Sequence, residues 1–133
     1  MPGIVLLSLR DEDKPYVNGL AALLKKLDFK IYGTHGTIKD IEGAHSVPKI
    51  GKGDGKPDIL DLIVNKQVSL VINTPTKGGR ANTDGFRIRR TCLEKGIPCI
   101  TNVNTTFELL KALIELKEKN LELEVRHIEE YWQ

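Results

Sequence analysis

Apolar and polar positions fall in blocks along this chain, and the block lengths separate strands from helices. Gly3 to Leu9 (GIVLLSL) is an unbroken apolar run of strand length. Such a run suits a strand covered on both faces and predicts a central strand. From Asp13 the spacing changes. Val17, Leu20, Ala21, Leu24 and Leu27 recur at helical intervals, and Pro15 falls in the first turn, where a missing N–H does no harm. This predicts a helix from Asp13 to near Asp28.

Phe29 to Gly33 then predicts a second strand, Thr37 to Ala44 a short helix, and Ser46 to Ile50 a short third strand. Pro48 points that strand to an edge. Ile50 to Lys56 (IGKGDGK) holds three glycines and reads as a flexible loop able to close over a ligand. Pro57 to Lys66 puts Ile59, Leu62 and Ile63 on one helical face. Val68 to Asn73 is another buried strand, followed by a polar loop and a helix that stops at Gly96. Ile97 to Thr101 is the last core strand. Val103, Phe107, Leu110 and Ile114 then predict a long amphipathic helix.

Strands alternate with helices almost throughout. The expected class is α/β: a three-layer α/β/α, Rossmann-like domain with a mainly parallel sheet of about five strands. Residues 1–120 form that domain, and 121–133 form a charged tail packing on it or extending it.

Composition narrows the picture further. The chain has 133 residues, 40% hydrophobic and 29% charged, which fits one core. Twenty basic against eighteen acidic residues leave +2, too small an excess to argue for a nucleic-acid or membrane surface. Any anion binding must be local. No apolar run approaches the ~20 residues that cross a bilayer, so a cytoplasmic protein is expected. Cys92 and Cys99 lie in apolar patterns without a CxxC spacing. They read as buried free thiols rather than as a metal site or a disulfide framework.

In parallel sheets, ligands sit outside the carboxyl ends of the strands. The loops Ser8 to Lys14, Gly33 to Thr37, Ile50 to Lys56 and Asn73 to Asp84 should converge there. Thr34 and Thr37 offer hydroxyls, Gly36 allows close backbone approach, and a helix start behind them would favour an anion. A plain Ser/Thr helix cap accounts equally for this turn. Lys14 at a helix start opposes the local dipole unless an anion lies nearby. Lys49 is a second point charge for a phosphate, with Lys52 competing for the role. Asn73 can donate and accept, which suits a ribose hydroxyl or a base edge, or closes a strand into a turn. Asp84 reads as an N-cap, and Arg87, Arg89 and Arg90 as a solvated helix face.

Taken together, LLSLRDEDK, THGT, VPKI, KPDILDLI, VIN, IRR and the final amphipathic helix resemble a methylglyoxal-synthase-like domain. The order is most similar to the regulatory domain at the carboxyl end of the carbamoyl-phosphate synthase large chain. That resemblance implies an allosteric module without catalysis of its own and with no cofactor or metal. Its effector would be a phosphorylated nucleotide: UMP as inhibitor, IMP or PRPP as activator. It places the effector phosphate at Lys14, Thr34, Thr37 and Lys49 and the ribose or base at Asn73, with Thr74 or Thr76 as a substitute hydroxyl; the reading of the residues themselves adds Gly36 on the phosphate side and Asp84 on the ribose side. It implies as partners the remaining synthetase domains and the glutaminase small chain, in making carbamoyl phosphate for pyrimidines and arginine. Association with a second copy stays open. Two features depart from the family pattern: two extra residues in IGKGDGKP, and Pro75 where relatives carry a threonine.

A different class, the synthase that converts dihydroxyacetone phosphate to methylglyoxal and phosphate, needs a carboxylate base and a histidine at one pocket. Asp54 or Asp58 is a candidate base. The histidines are His35, His45 and His127, and the loop from Asn73 to Asp84, where the synthases place one, has none. The purine-ring-closing cyclohydrolase shares the fold, but its lysine- and histidine-rich segment after the third strand is missing. The ATP-grasp domains that make carbamoyl phosphate do not fit in 133 residues, so the resemblance implies a fragment or a separate subunit.

Overall fold

Strand β1 (Ile4–Ser8) shows what an unbroken apolar run is for. Val5 and Leu7 point into one hydrophobic cluster and Leu6 into the other, and all three are fully buried. Successive strand side chains point to opposite faces, so both faces of β1 must be apolar. Burying each of these side chains stabilises the fold by about 1.5–3 kcal/mol. The computed structural model describes residues 3–76 and 84–131, with backbone alone at 123, 125 and 127–131.

The sheet is parallel throughout, in the order β3-β2-β1-β4-β5. β2 is Lys30–Gly33, β3 His45–Ser46, β4 Leu70–Asn73 and β5 Cys99–Ile100. On one face, α1 (Val17–Lys26) packs beside α5 (Val103–Tyr131), with Leu20, Leu24 and Leu110 in the cluster that holds Val5 and Leu7. On the other, α3 (Ile59–Val64) packs beside α4 (Asp84–Lys95), with Ile63, Ile88 and Cys92 around Leu6 and Val71. This is the expected three-layer α/β/α arrangement of five strands.

Four local expectations are corrected. The first helix does not begin at Asp13: Asp11–Tyr16 is a 3-10 turn and α1 starts at Val17. Pro15 lies inside the 3-10 turn, where it has no N–H to donate to a continuing α-helix. The helix after THGT spans only His35–Ile38 (α2), and separate turns carry the chain on through Ala44. β3 is an edge strand, as Pro48 suggests, but ends at Ser46, so Lys49 lies in the following loop. β5 is the opposite edge and only half-buried, rather than a core strand.

α5 runs unbroken past residue 120 to Tyr131. Between Glu115 and Glu122 its side chains are exposed, including Leu116 and Leu121. Among the described residues, no helix is long and apolar enough to cross a membrane.

Candidate functional site

The strand order reverses between β1 and β4, where Ser8 and Asn73 stand side by side at the carboxyl ends. A parallel sheet opens a crevice at such a point. There lies a cavity of about 380 Å³. Lys14, Thr34, Gly36, Thr37 and Lys49 line it together with Asn73, Thr74, Thr76 and Asp84. Every residue singled out from the sequence as an effector contact therefore meets in one place. Lys52 is not in this lining. Its backbone N–H donates to the Lys49 carbonyl in a tight turn.

Thr34 stands at the N-cap position of α2, yet its side chain makes no capping bond. Its hydroxyl instead pairs with the Thr37 hydroxyl at 3.1 Å, both buried. Thr37 Oγ1 also accepts from the Leu9 N–H at 3.2 Å, which ties the THGT turn to the end of β1. A plain helix cap therefore does not explain this turn. A strong helix dipole does not explain it either, because α2 has only four residues and few aligned peptides contribute.

Lys14 closes the 3-10 turn rather than opening a helix. The dipole argument for an anion beside it therefore fails, and the ammonium has a partner: Asp11 Oδ1 at 2.6 Å. The hydrogen bond and charge of Lys14 hold the Asp11 carboxyl below its usual range, with a further contribution from the charge of Lys49. Lys14, Lys49 and Asp11 all line the cavity. Gly36 lies under Lys14: a Cβ at this position would come 3.2 Å from Nζ, so a side chain would push the ammonium aside.

Two arginines were not singled out from the sequence as site residues. Arg10 lines the cavity and braces its wall, its Nε donating to Asp13 Oδ2 at 2.7 Å and its Nη1 to the Pro75 carbonyl. Its backbone N–H donates to Thr74 Oγ1 at 2.9 Å. The sequence puts Arg89 on a solvated helix face, and the structure does not. Arg89 is half-buried, lines the cavity, and donates from Nη1 to Asn73 Oδ1 at 2.9 Å. Asn73 Nδ2 donates to the Ser8 carbonyl, so this side chain clamps β1, β4 and α4 together. Helical spacing carried the signal for Arg89, which follows the fully buried Ile88 on the inner half of α4.

Asp84 is the first residue of α4 and is exposed. The polar loop at 77–83 lies outside the described residues. Ile50 is the one residue of the Ile50–Lys56 loop in the described lining, and the loop is folded by turns in which the Lys52 and Lys56 N–H groups donate to the Lys49 and Gly53 carbonyls. Asp58 is the N-cap of α3, its carboxylate accepting from the Asp61 and Gly51 N–H groups. Burial pushes its pKa up, but the backbone N–H groups of Gly51, Asp61 and Leu60 outweigh it and leave the carboxyl below its ordinary value. Asp54 sits in a left-handed turn on the same loop, and neither acid lines the cavity.

His35 is exposed, and His45 stacks against Tyr32 with ring centroids 4.7 Å apart. Neither belongs to the described lining, and the side chain of His127 lies outside the described residues. Among the described residues, no group of three or more His, Cys, Asp and Glu side chains is arranged to hold a metal.

Comparison with known proteins gives three results. A family model described as "MGS-like domain" matches residues 17–101. The chain is 34% identical over 135 aligned residues to the "Carbamoyl phosphate synthase large chain, C-terminal section" of Aquifex aeolicus (strain VF5). The alignment covers 98% of this chain and 25% of that relative, so the chain spans about a quarter of the relative's length. The crystal structure of methylglyoxal synthase from Elizabethkingia anophelis NUHP1 matches with a TM-score of 0.61 at 17% identity, over 82% of this chain and 77% of that one. That likeness is one of fold. The family model covers well over half of the sequence, including β2, β4, both sheet edges and the THGT turn; the chain belongs to the MGS-like domain family.

Proposed function

We propose that this chain is an allosteric module of a carbamoyl-phosphate synthase that binds a phosphorylated nucleotide in the cavity between β1 and β4. One observation carries the reading: the Lys14 and Lys49 ammonium groups and the Thr34–Thr37 hydroxyl pair line one side of a cavity whose described lining contains no histidine. Two lysines and two hydroxyls suit a phosphate dianion, with charge-assisted hydrogen bonds supplying most of the affinity. Gly36 lets the phosphate approach the backbone. Asn73, Thr74, Thr76 and Asp84 on the facing wall take the ribose or base of UMP, IMP or PRPP.

Asp11 is the internal stand-in for that ligand. It pairs with Lys14, and an arriving phosphate competes with it for the ammonium. Signalling requires that the rest of the enzyme exist in two states with different effector affinity. In this reading the partners are the other synthetase domains and the glutaminase chain, in the cytoplasm, and the output is carbamoyl phosphate for pyrimidine and arginine synthesis.

The alternative, a methylglyoxal synthase, has carboxylates available in Asp11, Glu12 and Asp84, but the described lining offers no imidazole to assist the carbonyl or the leaving phosphate. Calorimetric titration with UMP, IMP and PRPP, run beside an assay for methylglyoxal from dihydroxyacetone phosphate, tests the proposal. Nucleotide binding without turnover is expected. Turnover without nucleotide binding would refute it.

A further inference from the structure

A second cavity, of about 530 Å³, opens at the β5 edge of the sheet. Cys92, Leu93, Ile97, Cys99 and the flank of Arg89 line it. The chain path brings the two sulfurs together. Gly96 in a left-handed conformation ends α4, the Ile97 N–H turns back to the Cys92 carbonyl at 2.9 Å, and the next residues enter β5. Cys92 belongs to the buried cluster against which Cys99 packs, and both line the same cavity. They differ in access: Cys92 is 0% exposed, whereas Cys99 is partly open to the cavity. Beside them Leu93 is 83% exposed, giving the mouth an apolar lip.

We propose that Cys99 and Cys92 form a thiol modification site for small hydroperoxides, in which Cys99 attacks and Cys92 resolves. Access sets the roles: Cys99 is partly open to the cavity beside Arg89, whereas Cys92 is fully buried behind it. The neighbouring thiol and the Arg89 guanidinium favour the Cys99 thiolate against the cost of burial and hold its pKa below the usual value, while the Cys99 side chain and burial push the Cys92 thiol up. The thiolate is the nucleophile.

The Cys99 thiolate attacks the peroxide oxygen. An S–O bond forms, the O–O bond breaks, and the leaving oxygen takes up a proton and departs as water or an alcohol. Cys99 is then a neutral sulfenic acid, and the negative charge that opposed ionisation of Cys92 is gone. The Cys92 sulfur attacks Cys99, the S–S bond forms, the S–O bond breaks, and hydroxide leaves as water with the Cys92 proton. The peroxide gains the two electrons that the thiols lose. Closing the bond draws the sulfurs to about 2.0 Å and ties the end of α4 to β5. Arg89 lines this cavity and also holds Asn73 in the effector cavity, so the new bond forms beside a guanidinium that the two cavities share. This last link rests on the proposed function.

The test exposes the reduced full chain to tert-butyl hydroperoxide and follows it by intact mass and by maleimide labelling. The wild type should lose two hydrogens and both reactive thiols together. Cys92→Ala should accumulate a dimedone-reactive sulfenic acid at Cys99, and Cys99→Ala should keep its remaining thiol. A wild-type chain with both thiols still alkylated after exposure, or with Cys92 oxidised first, would overturn the inference. Titrating inorganic phosphate into the same samples separates the two claims. Phosphate binding without a disulfide overturns only the thiol site, and a disulfide without phosphate binding upholds it while overturning the functional reading.

Discussion

Replacing Thr37 with valine keeps the shape of a side chain that is 3% exposed and removes one oxygen. That oxygen accepts from the buried Leu9 N–H at 3.2 Å and meets Thr34 Oγ1 at 3.1 Å. Valine offers neither bond. Leaving a buried donor unsatisfied costs about 1–3 kcal/mol, and the buried Thr34 hydroxyl loses its partner as well. An unfolding entropy of about 2 cal/mol/K per residue converts each kcal/mol into roughly 3–4 °C for a chain of this size. Thr37→Val should therefore lower Tm by roughly 3–12 °C in phosphate-free buffer, read by differential scanning calorimetry. Thr37→Ser retains the oxygen and should recover most of that loss. A valine variant that melts with the wild type would refute the reasoning, because the bond to Leu9 would then contribute nothing.

Lys14→Ala should weaken UMP or inorganic phosphate binding by roughly tenfold in calorimetry, the lower end of a charge-assisted contact, because the ammonium is partly exposed; an unchanged Kd would place the phosphate elsewhere. Asp11→Asn removes the carboxylate that competes for Lys14 and should tighten the same ligands a few-fold, whereas weaker binding would mean that Asp11 positions the lysine. Asp58→Ala loses the capping box of α3 and the bond from Gly51, at a cost of about 1–2 kcal/mol in urea unfolding at neutral pH. The Asp58 pKa is depressed below its ordinary 3.8, so its contribution is full above that pH and is lost as pH falls through the lower folded value. Wild type and Asp58→Ala should therefore differ at pH 7 and converge in acid, and a gap that persists there would contradict the assignment.

The sheet was legible because its central strands are buried on both faces, so GIVLLSL and VSLVIN had no polar position to disguise them. The edges were less legible. Ser46 to Ile50 and Ile97 to Thr101 are apolar enough for longer strands, but each pairs on one side only, and two residues of each form ladder bonds. Helical spacing found the buried stripe of α1 but not its start, since periodicity does not distinguish a 3-10 turn from a first α turn. That misplacement undid the dipole argument for Lys14, whereas the strand-end argument held: the segment Ser8 to Lys14 leaves the carboxyl end of β1 and brings Lys14 into the cavity lining. Arg89 was missed for the opposite reason. Three arginines within one helix look like a charged face until the register puts one of them beside Ile88 and against Asn73.

The central claim is that the cavity between β1 and β4 receives a phosphate from the THGT side. Its most direct test is a ¹⁵N–¹H correlation spectrum of the full chain titrated with UMP and, separately, with inorganic phosphate. The account predicts saturable shifts in the backbone amides of Leu9, Thr34 to Ile38 and Ile50 with both ligands, and additional shifts at Asn73 and Thr74 with UMP alone. Spectra unmoved by either ligand, or shifts centred away from these amides, would contradict it.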